Sequence, residues 1–207
     1  MNLINQLSTS LKTKNEMPNR RAADVILKNP QRVNEIISGI SEATPALLGD
    51  CVEVLTMVAE QQPELITPYT DVIIPFLQHQ KTRIRWETIH CLAYLAESIP
   101  GKIKNILPVI EDLIRQDEST IVRDYAVTTL GNYGKTSFQA ANEVFPILKM
   151  AINIREGKHA KLVLEAFVKM SVFLDSERDY LNRISEVYLA DHRSSVKKAA
   201  KQLKGKL

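Results

Sequence analysis

The chain has 207 residues, of which 44% are apolar and 25% charged, the composition of an ordinary folded protein. Seven glycines and nine prolines exclude a low-complexity or collagen-like chain, and no apolar run approaches the roughly 20 residues of a membrane span. Net charge is +3 but unevenly placed: residues 1–32 carry +4, residues 191–207 carry +5, and the body between them carries −6, unlike a protein that tracks phosphates along its whole length.

Met1-Asn2-Leu3-Ile4-Asn5-Gln6 has no basic segment followed by an apolar core, so a secretory signal is not expected and the chain reads as cytoplasmic. Proline and turn residues then cut the sequence into helix pairs at 1–28, 30–60, 63–98, 100–134, 136–174 and 175–206, read as one repeat domain. The first pair is short, with helices expected at 3–14 and 18–28. The second pair spans 30–41 and 45–60, where Thr44 before Pro45 combines a good N-cap with a good first helical residue. The third pair spans 63–78 and 82–98. The fourth spans 100–116 and 119–133, with Gln116-Asp117-Glu118-Ser119 as its turn. The fifth spans 136–154 and 158–174, parted by Arg155-Glu156-Gly157, and 175–190 with 194–206 closes the chain. No segment alternates with period two, so the fold class is all-α.

The second helices share a pattern. Ile84 to Leu95 aligns with Val122 to Tyr133, 38 residues on, as aliphatic-Arg-x-x-small-x-x-x-Leu-small-x-large. A fixed period in this range signals stacked supersecondary units. Counting the lead residues Leu47, Ile84, Val122, Ala160 and Val196 as zero, positions 0, 4, 7, 8 and 11 form one apolar stripe. The stripe fades in the last copy, as the polar end of a stack requires. Cys51 and Cys91 fall inside apolar patterns and read as buried thiols of a reducing compartment.

These letters resemble the HEAT-repeat family, of the armadillo/HEAT type of α-solenoid. Pro108 and Pro146 lie 14 residues before Val122 and Ala160, Asp117 lies in a turn, and Ile84-Arg85 and Val122-Arg123 open second helices, weakly echoed by Ala160-Lys161 and Val196-Lys197. Leu48 stands where the arginine belongs, and Asn19-Arg20 lacks the aliphatic. The resemblance runs over about residues 18–204 and is strongest at 63–135. It implies a right-handed superhelix of five to six helix pairs whose second helices line the concave side. It also implies a ladder in which Arg85 and Arg123 bond the turn aspartate of an adjacent repeat, for which Asp117 is available. It implies no particular activity.

Positions two, five, six and nine of the second helices are expected to face that concave groove. They are unusually apolar, and they nominate Trp86, Ile89, His90, Asp124, Val127, Thr128 and Leu162 as the partner-binding residues of a protein–protein or peptide-binding scaffold. Tight curvature burying part of this surface is the structural alternative. The basic amphipathic end of the chain, with Arg193, Lys197, Lys198, Lys201 and Lys204, is a polar cap or a patch for nucleic acid or anionic lipid.

Catalytic signals are missing. Glu87 and His90 make one Glu-x-x-His without a second copy, and His79, His159 and His192 stand alone. There is no Cys-x-x-Cys, His-Glu dipeptide, phosphate-cradling glycine loop or Gly-x-Ser-x-Gly elbow. No enzyme, metal or cofactor is therefore expected. Helical-repeat alkylpurine DNA glycosylases use Trp and Arg with a catalytic Asp on their concave face, which draws attention to Trp86; a DNA-binding or base-repair protein of that kind, using the basic terminal helices, is the alternative function. Its column, however, continues as Asp124, Leu162 and Lys198 rather than as further aromatics. The sequence names neither the partner nor the oligomeric state.

Overall fold

A computed structural model describes residues 2–207. Among them every regular element is an α- or 3-10 helix and no strand occurs, as the missing alternation predicts. The chain forms two compact units that divide between Ser98 and Ile99, the boundary between the third and fourth expected helix pairs.

In unit 1, α1 (Met17–Lys28), α2 (Val33–Gly39) and α3 (Pro45–Gln61) are followed by α4 (Thr70–Ile73) and α5 (Thr82–Leu95). The Thr44 side chain accepts the Leu47 N–H at 3.4 Å with Pro45 in the first turn, the cap that the sequence predicts. Two expected helices do not form as single runs. Residues 3–14 make one 3-10 turn, Leu3–Gln6, and then a loop that passes Lys12 at φ 55°. Ser8 there donates its hydroxyl to the Asn15 carbonyl at 2.7 Å, a side-chain bond that competes with helix. Residues 63–78 break into the 3-10 turns Pro63–Leu65, Thr67–Tyr69 and Ile74–Gln78 around the four-residue α4, because Pro68 and Pro75 each remove a backbone donor.

In unit 2, α6 (Pro100–Asn105) and α7 (Leu107–Gln116) replace the single helix expected at 100–116, and the chain breaks at Ile106 just before Pro108. Then come α8 (Thr120–Gly134), α9 (Phe138–Ala151), α10 (Ala160–Met170), α11 (Arg178–Leu189) and α12 (Ser194–Lys204). Ser119 and Ser137 cap α8 and α9 through the Val122 and Ala140 N–H groups. Between α9 and α10 the chain reverses through Arg155 and Glu156, both left-handed at φ 50° and 58°.

The apolar stripe builds both cores. Cys51, Val54, Leu55 and Val58 on α3, and Ile84, Cys91, Leu92 and Leu95 on α5, are fully buried, as are Val122, Ala126 and Leu130 on α8 and Leu164 and Phe167 on α10. In unit 1, α3 packs against both α1 and α5; in unit 2, α10 packs against both α8 and α12. Second helices therefore stack in chain order within each unit, the arrangement of an all-α repeat solenoid.

In unit 2, α8 and α10 come close together at Gly131. A Cβ placed there meets Ala166 Cβ at 2.8 Å and Ala166 Cα at 3.2 Å, both on the rigid helix α10. A mid-helix glycine ordinarily gives way to alanine with a gain of roughly 0.5–1 kcal/mol. Here Gly131→Ala is expected to lose stability and Gly131→Val to lose about 1–3 kcal/mol, as overpacked cores do. Urea denaturation checks this, and a more stable Gly131→Ala variant would show that the helix contact is not limiting.

Candidate functional site

The nominated groove residues divide between the units and between surface and core. On α5, Trp86 and His90 are half-buried, whereas Ile89 is fully buried. Ile89 is therefore a core residue and not a groove residue, because α3 and the 74–78 turn both pack on α5 and widen its apolar face. Tyr94, which the periodic columns do not nominate, completes a ridge with Trp86 and His90 at four-residue spacing. Its ring lies 5.1 Å from that of His90, its hydroxyl is 3.3 Å from His90 Nε2, and it donates to Glu60 Oε1 at 2.9 Å. Burial pushes His90 down to about 4, with Glu60 pulling the other way, so the ring is neutral near pH 7. The Trp86 indole nitrogen is buried and donates to no acceptor among the described residues.

In unit 2, Asp124, Thr128 and Leu162 are half-buried, and Val127 is fully buried and joins the core. Asp124 does not offer a free carboxylate. Its Oδ1 lies 2.7 Å from Nδ1 of the buried His159, and His159 Nε2 accepts from Arg123 Nε at 3.0 Å. That pair of contacts places the imidazole proton on Nδ1. Arg123 Nη1 also donates to the Asp117 carbonyl. The ladder expected at this repeat thus runs from arginine to histidine to aspartate, while the Asp117 carboxylate caps the Ser119 N–H at 2.8 Å. Arg85 likewise donates to turn carbonyls, those of His79 and Gln80, at 2.8 and 3.0 Å.

The C-terminal basic face is smaller than the sequence suggests. Arg193 forms a fork with Asp191 at 2.7–2.9 Å and donates to the Gly157 carbonyl at 3.0 Å, so it builds the turn between α11 and α12. Lys204 pairs with Glu186 at 3.1 Å. Lys197, Lys198 and Lys201 are exposed on α12, whose opposite side is buried through Val196, Ala199, Ala200 and Leu203.

A polar cavity of about 460 Å³ in unit 1 has no counterpart in the sequence reading. The loop at residues 8–16 forms one wall; Asn19 of α1, Asp50 and Glu53 of α3, and Arg83 of α5 form the other. Asn19 is fully buried. Its Oδ1 accepts the Ser8 N–H at 2.9 Å and its Nδ2 donates to Glu53 Oε2 at 2.7 Å. Asp50 accepts the Thr9 N–H at 2.7 Å and Arg83 Nη2 at 2.7 Å. Burial opposes the Asp50 charge, but these bonds from Thr9, Arg83 and Asn19 outweigh it and hold the carboxyl below its usual range. Arg83 reaches Asp50 across Gly49, where a Cβ would stand 3.2 Å from its guanidinium. Beside this network Glu87 is 5% exposed, and its carboxylate has no hydrogen-bond or ion-pair partner among the described residues. Burial, helped by Glu53 and opposed by Arg83, pushes it up to about 7.

No family model matches the chain, and no curated protein matches it. Solved structures do. A designed armadillo repeat protein in complex with the peptide (KR)4 aligns with a TM-score of 0.73 at 13% identity, over 99% of this chain and 97% of that one. An engineered protein aligns with a TM-score of 0.69 at 15% identity over 100% and 96%. A computationally designed armadillo repeat protein for modular peptide recognition gives 0.69 at 12% over 99% and 98%. At these identities the likeness establishes the fold: an all-α helical repeat solenoid of the armadillo/HEAT type.

Glu87 gives the fold a pH signature. Its folded carboxyl holds a proton up to about pH 7 against 4.5 ordinarily, so its contribution to stability is complete below about pH 4.5 and lost as pH rises through 7. Glu87→Gln is expected to gain on the order of 1–3 kcal/mol over the wild type at pH 8 and to match it near pH 4.5. Equal urea midpoints at pH 8 would remove Glu87 as the source.

Proposed function

We propose that this chain is a non-catalytic, HEAT-type repeat scaffold that binds a peptide or partner domain on the free faces of its second helices. The ridge of Trp86, His90 and Tyr94 on α5 carries the reading. Half-buried aromatics with polar tips are the side chains that anchor partners, because they bring large apolar area at small entropic cost and finish with a directed hydrogen bond. The same helix position in unit 2 offers Asp124 and Leu162, with Thr128 beside them, as a second, more polar contact face. The likeness to designed armadillo proteins made for peptide recognition supports a peptide-binding role. Two buried free thiols, Cys51 and Cys91, support a reducing, cytoplasmic setting.

Trp86→Ala is expected to weaken partner capture from native lysate about 30-fold or more, the range of an interface hot spot. Helical content should stay unchanged by circular dichroism. Capture at wild-type levels by this variant removes the ridge as the binding face.

The face of Lys197, Lys198 and Lys201 favours a second reading, binding of nucleic acid phosphates. The buried apolar side of α12 leaves lysines, two serines and Gln202 to present and no apolar side chain, which suits a polyanion better than insertion into lipid. Fluorescence anisotropy with single- and double-stranded DNA should show affinity that falls steeply with salt, and Lys197→Glu with Lys201→Glu should abolish it. Absence of salt-sensitive binding at low ionic strength retires this reading.

A further inference from the structure

The two rows of second helices end differently. In unit 2, α12 packs on α10 and turns lysines, serines and Gln202 to solvent, the polar outer face that ends a helical stack. In unit 1, α1 ends the row among the described residues, with α3 packed on one side of it. Off that side α1 is not polar. Pro18, Ala22 and Val25 of α1, with Leu3 and Leu11 of the preceding turn and loop, line an apolar socket of about 140 Å³ to which α3 contributes no residue. Leu3 and Ala22 are its buried floor, Pro18 and Val25 are half-buried, and Leu11 is 52% exposed, with Met17 beside Pro18 exposed as well. An apolar space of about 150 Å³ holds a benzene-sized group, so the socket has room for one large side chain.

The charged groups around the socket are mostly cations. Arg21 lines it, Lys12 follows Leu11, and Lys28 stands one turn along α1 from Val25. None of these three side chains has a hydrogen-bond or ion-pair partner among the described residues. Neighbouring Arg20 and Arg32, by contrast, are paired with Glu16 and Glu35 at 3.0 and 2.6 Å. Asp24, also on α1, is the one unpaired carboxylate among the described residues from Leu11 to Lys28, so the apolar socket sits in a positive surround.

We propose that this socket docks an acidic segment of a partner protein, which seats one phenyl- or isobutyl-sized side chain against Leu11, Pro18 and Val25 and pairs its carboxylates with Arg21, Lys12 and Lys28. The free cations and the concave apolar floor together select this occupant over others. A second copy of the chain would bring either the same basic face or the exposed lysines of α12, and like charges repel. Nucleic acid phosphates would meet the cations but leave the apolar socket unfilled. A lipid surface takes apolar side chains that project, and here only Leu11 and Met17 do. This surface lies on α1 and its preceding loop, and it does not rest on the ridge of Trp86, His90 and Tyr94.

The test is selection of a random dodecapeptide phage library on the full chain, with each recovered peptide then offered to Leu11→Glu and to Arg21→Glu. Both side chains are exposed, so both variants should keep the wild-type urea midpoint. The expected result is a group of peptides, rich in Asp and Glu around a Phe or Leu, whose binding both variants lose. By fluorescence anisotropy each variant should weaken such a peptide about tenfold or more, and so should replacing the peptide's Phe or Leu by Ala. The proposal is overturned if no recovered peptide depends on Leu11 and Arg21, or if the dependent peptides are basic or carry no large apolar side chain. It is overturned equally if phosphatidylserine vesicles bind in place of peptides and are lost in the same two variants. Capture through the Trp86 ridge is read from its own variant, so failure of the socket leaves the ridge standing and failure of the ridge leaves the socket.

Discussion

Everything in this chain depends on second helices that are packed on both flanks. A single amphipathic helix buries one stripe, but α3 lies between α1 and α5, and α10 between α8 and α12. Each of these helices must be apolar over more of its circumference than a period of 3.6 with one buried face demands. Other elements widen the buried face in the same way: Ile89 and Val127, which sit off the stripe, are as buried as Ile84 and Val122, on an α5 packed by α3 and the 74–78 turn and an α8 packed by α7, α9 and α10. Close packing also requires small residues where helices meet, as at Gly131 against Ala166. What is left for a partner is narrow, a ridge about one residue wide per turn. Side chains free to meet a partner are therefore few in each unit, and the ridge proposed for that role is Trp86, His90 and Tyr94.

The polar groups inside the two units differ in how completely they are satisfied, and the difference separates structure from function. Arg123, His159 and Asp124 form a closed chain that ends on the Asp117 carbonyl, and Arg85 closes on two turn carbonyls. Breaking such a bond strands a buried donor at a cost of about 1–3 kcal/mol, so these residues hold the turns between helices in place. Asp50 is satisfied in the same way by Thr9 and Arg83. Glu87 is not. A carboxyl with no partner, a few residues along the same helix from Arg83, adds nothing to packing that leucine or glutamine would not add better.

Much of the architecture was legible in sequence because it rests on local rules. The stripe at positions 0, 4, 7, 8 and 11, the Thr44-Pro45 start and the 98/100 boundary all follow from periodicity, capping chemistry and proline. First helices were less legible. Pro68, Pro75 and Pro108 break runs whose apolar pattern continues through them, since burial sets the pattern and the missing N–H sets the break. The exposed ridge was half legible: Trp86 and His90 stand out as off-stripe aromatics, but whether a neighbour such as Ile89 is covered depends on adjacent repeats. The cavity was invisible. It joins Asn19, Asp50, Glu53 and Arg83 from three helices to a loop that the sequence presented as helix, and no spacing rule links those positions.

Charge distribution sharpens what the two faces do. Residues up to Ser98 hold nine basic and eleven acidic side chains, and those from Ile99 hold eighteen and thirteen. Unit 1 is therefore −2 and unit 2 is +5, so the basicity of the whole chain belongs to unit 2. At physiological ionic strength exposed charges act over about 8 Å, so within unit 2 the lysines of α12 govern only their own neighbourhood. Within unit 1, Glu53 lines the polar cavity and Glu87 is 5% exposed, so both act where solvent screens less than at the open surface. The net basicity of the chain thus says little about what it binds. The charge that each face would favour is set patch by patch, by the carboxylates around the unit 1 cavity and by the exposed lysines of α12 in unit 2.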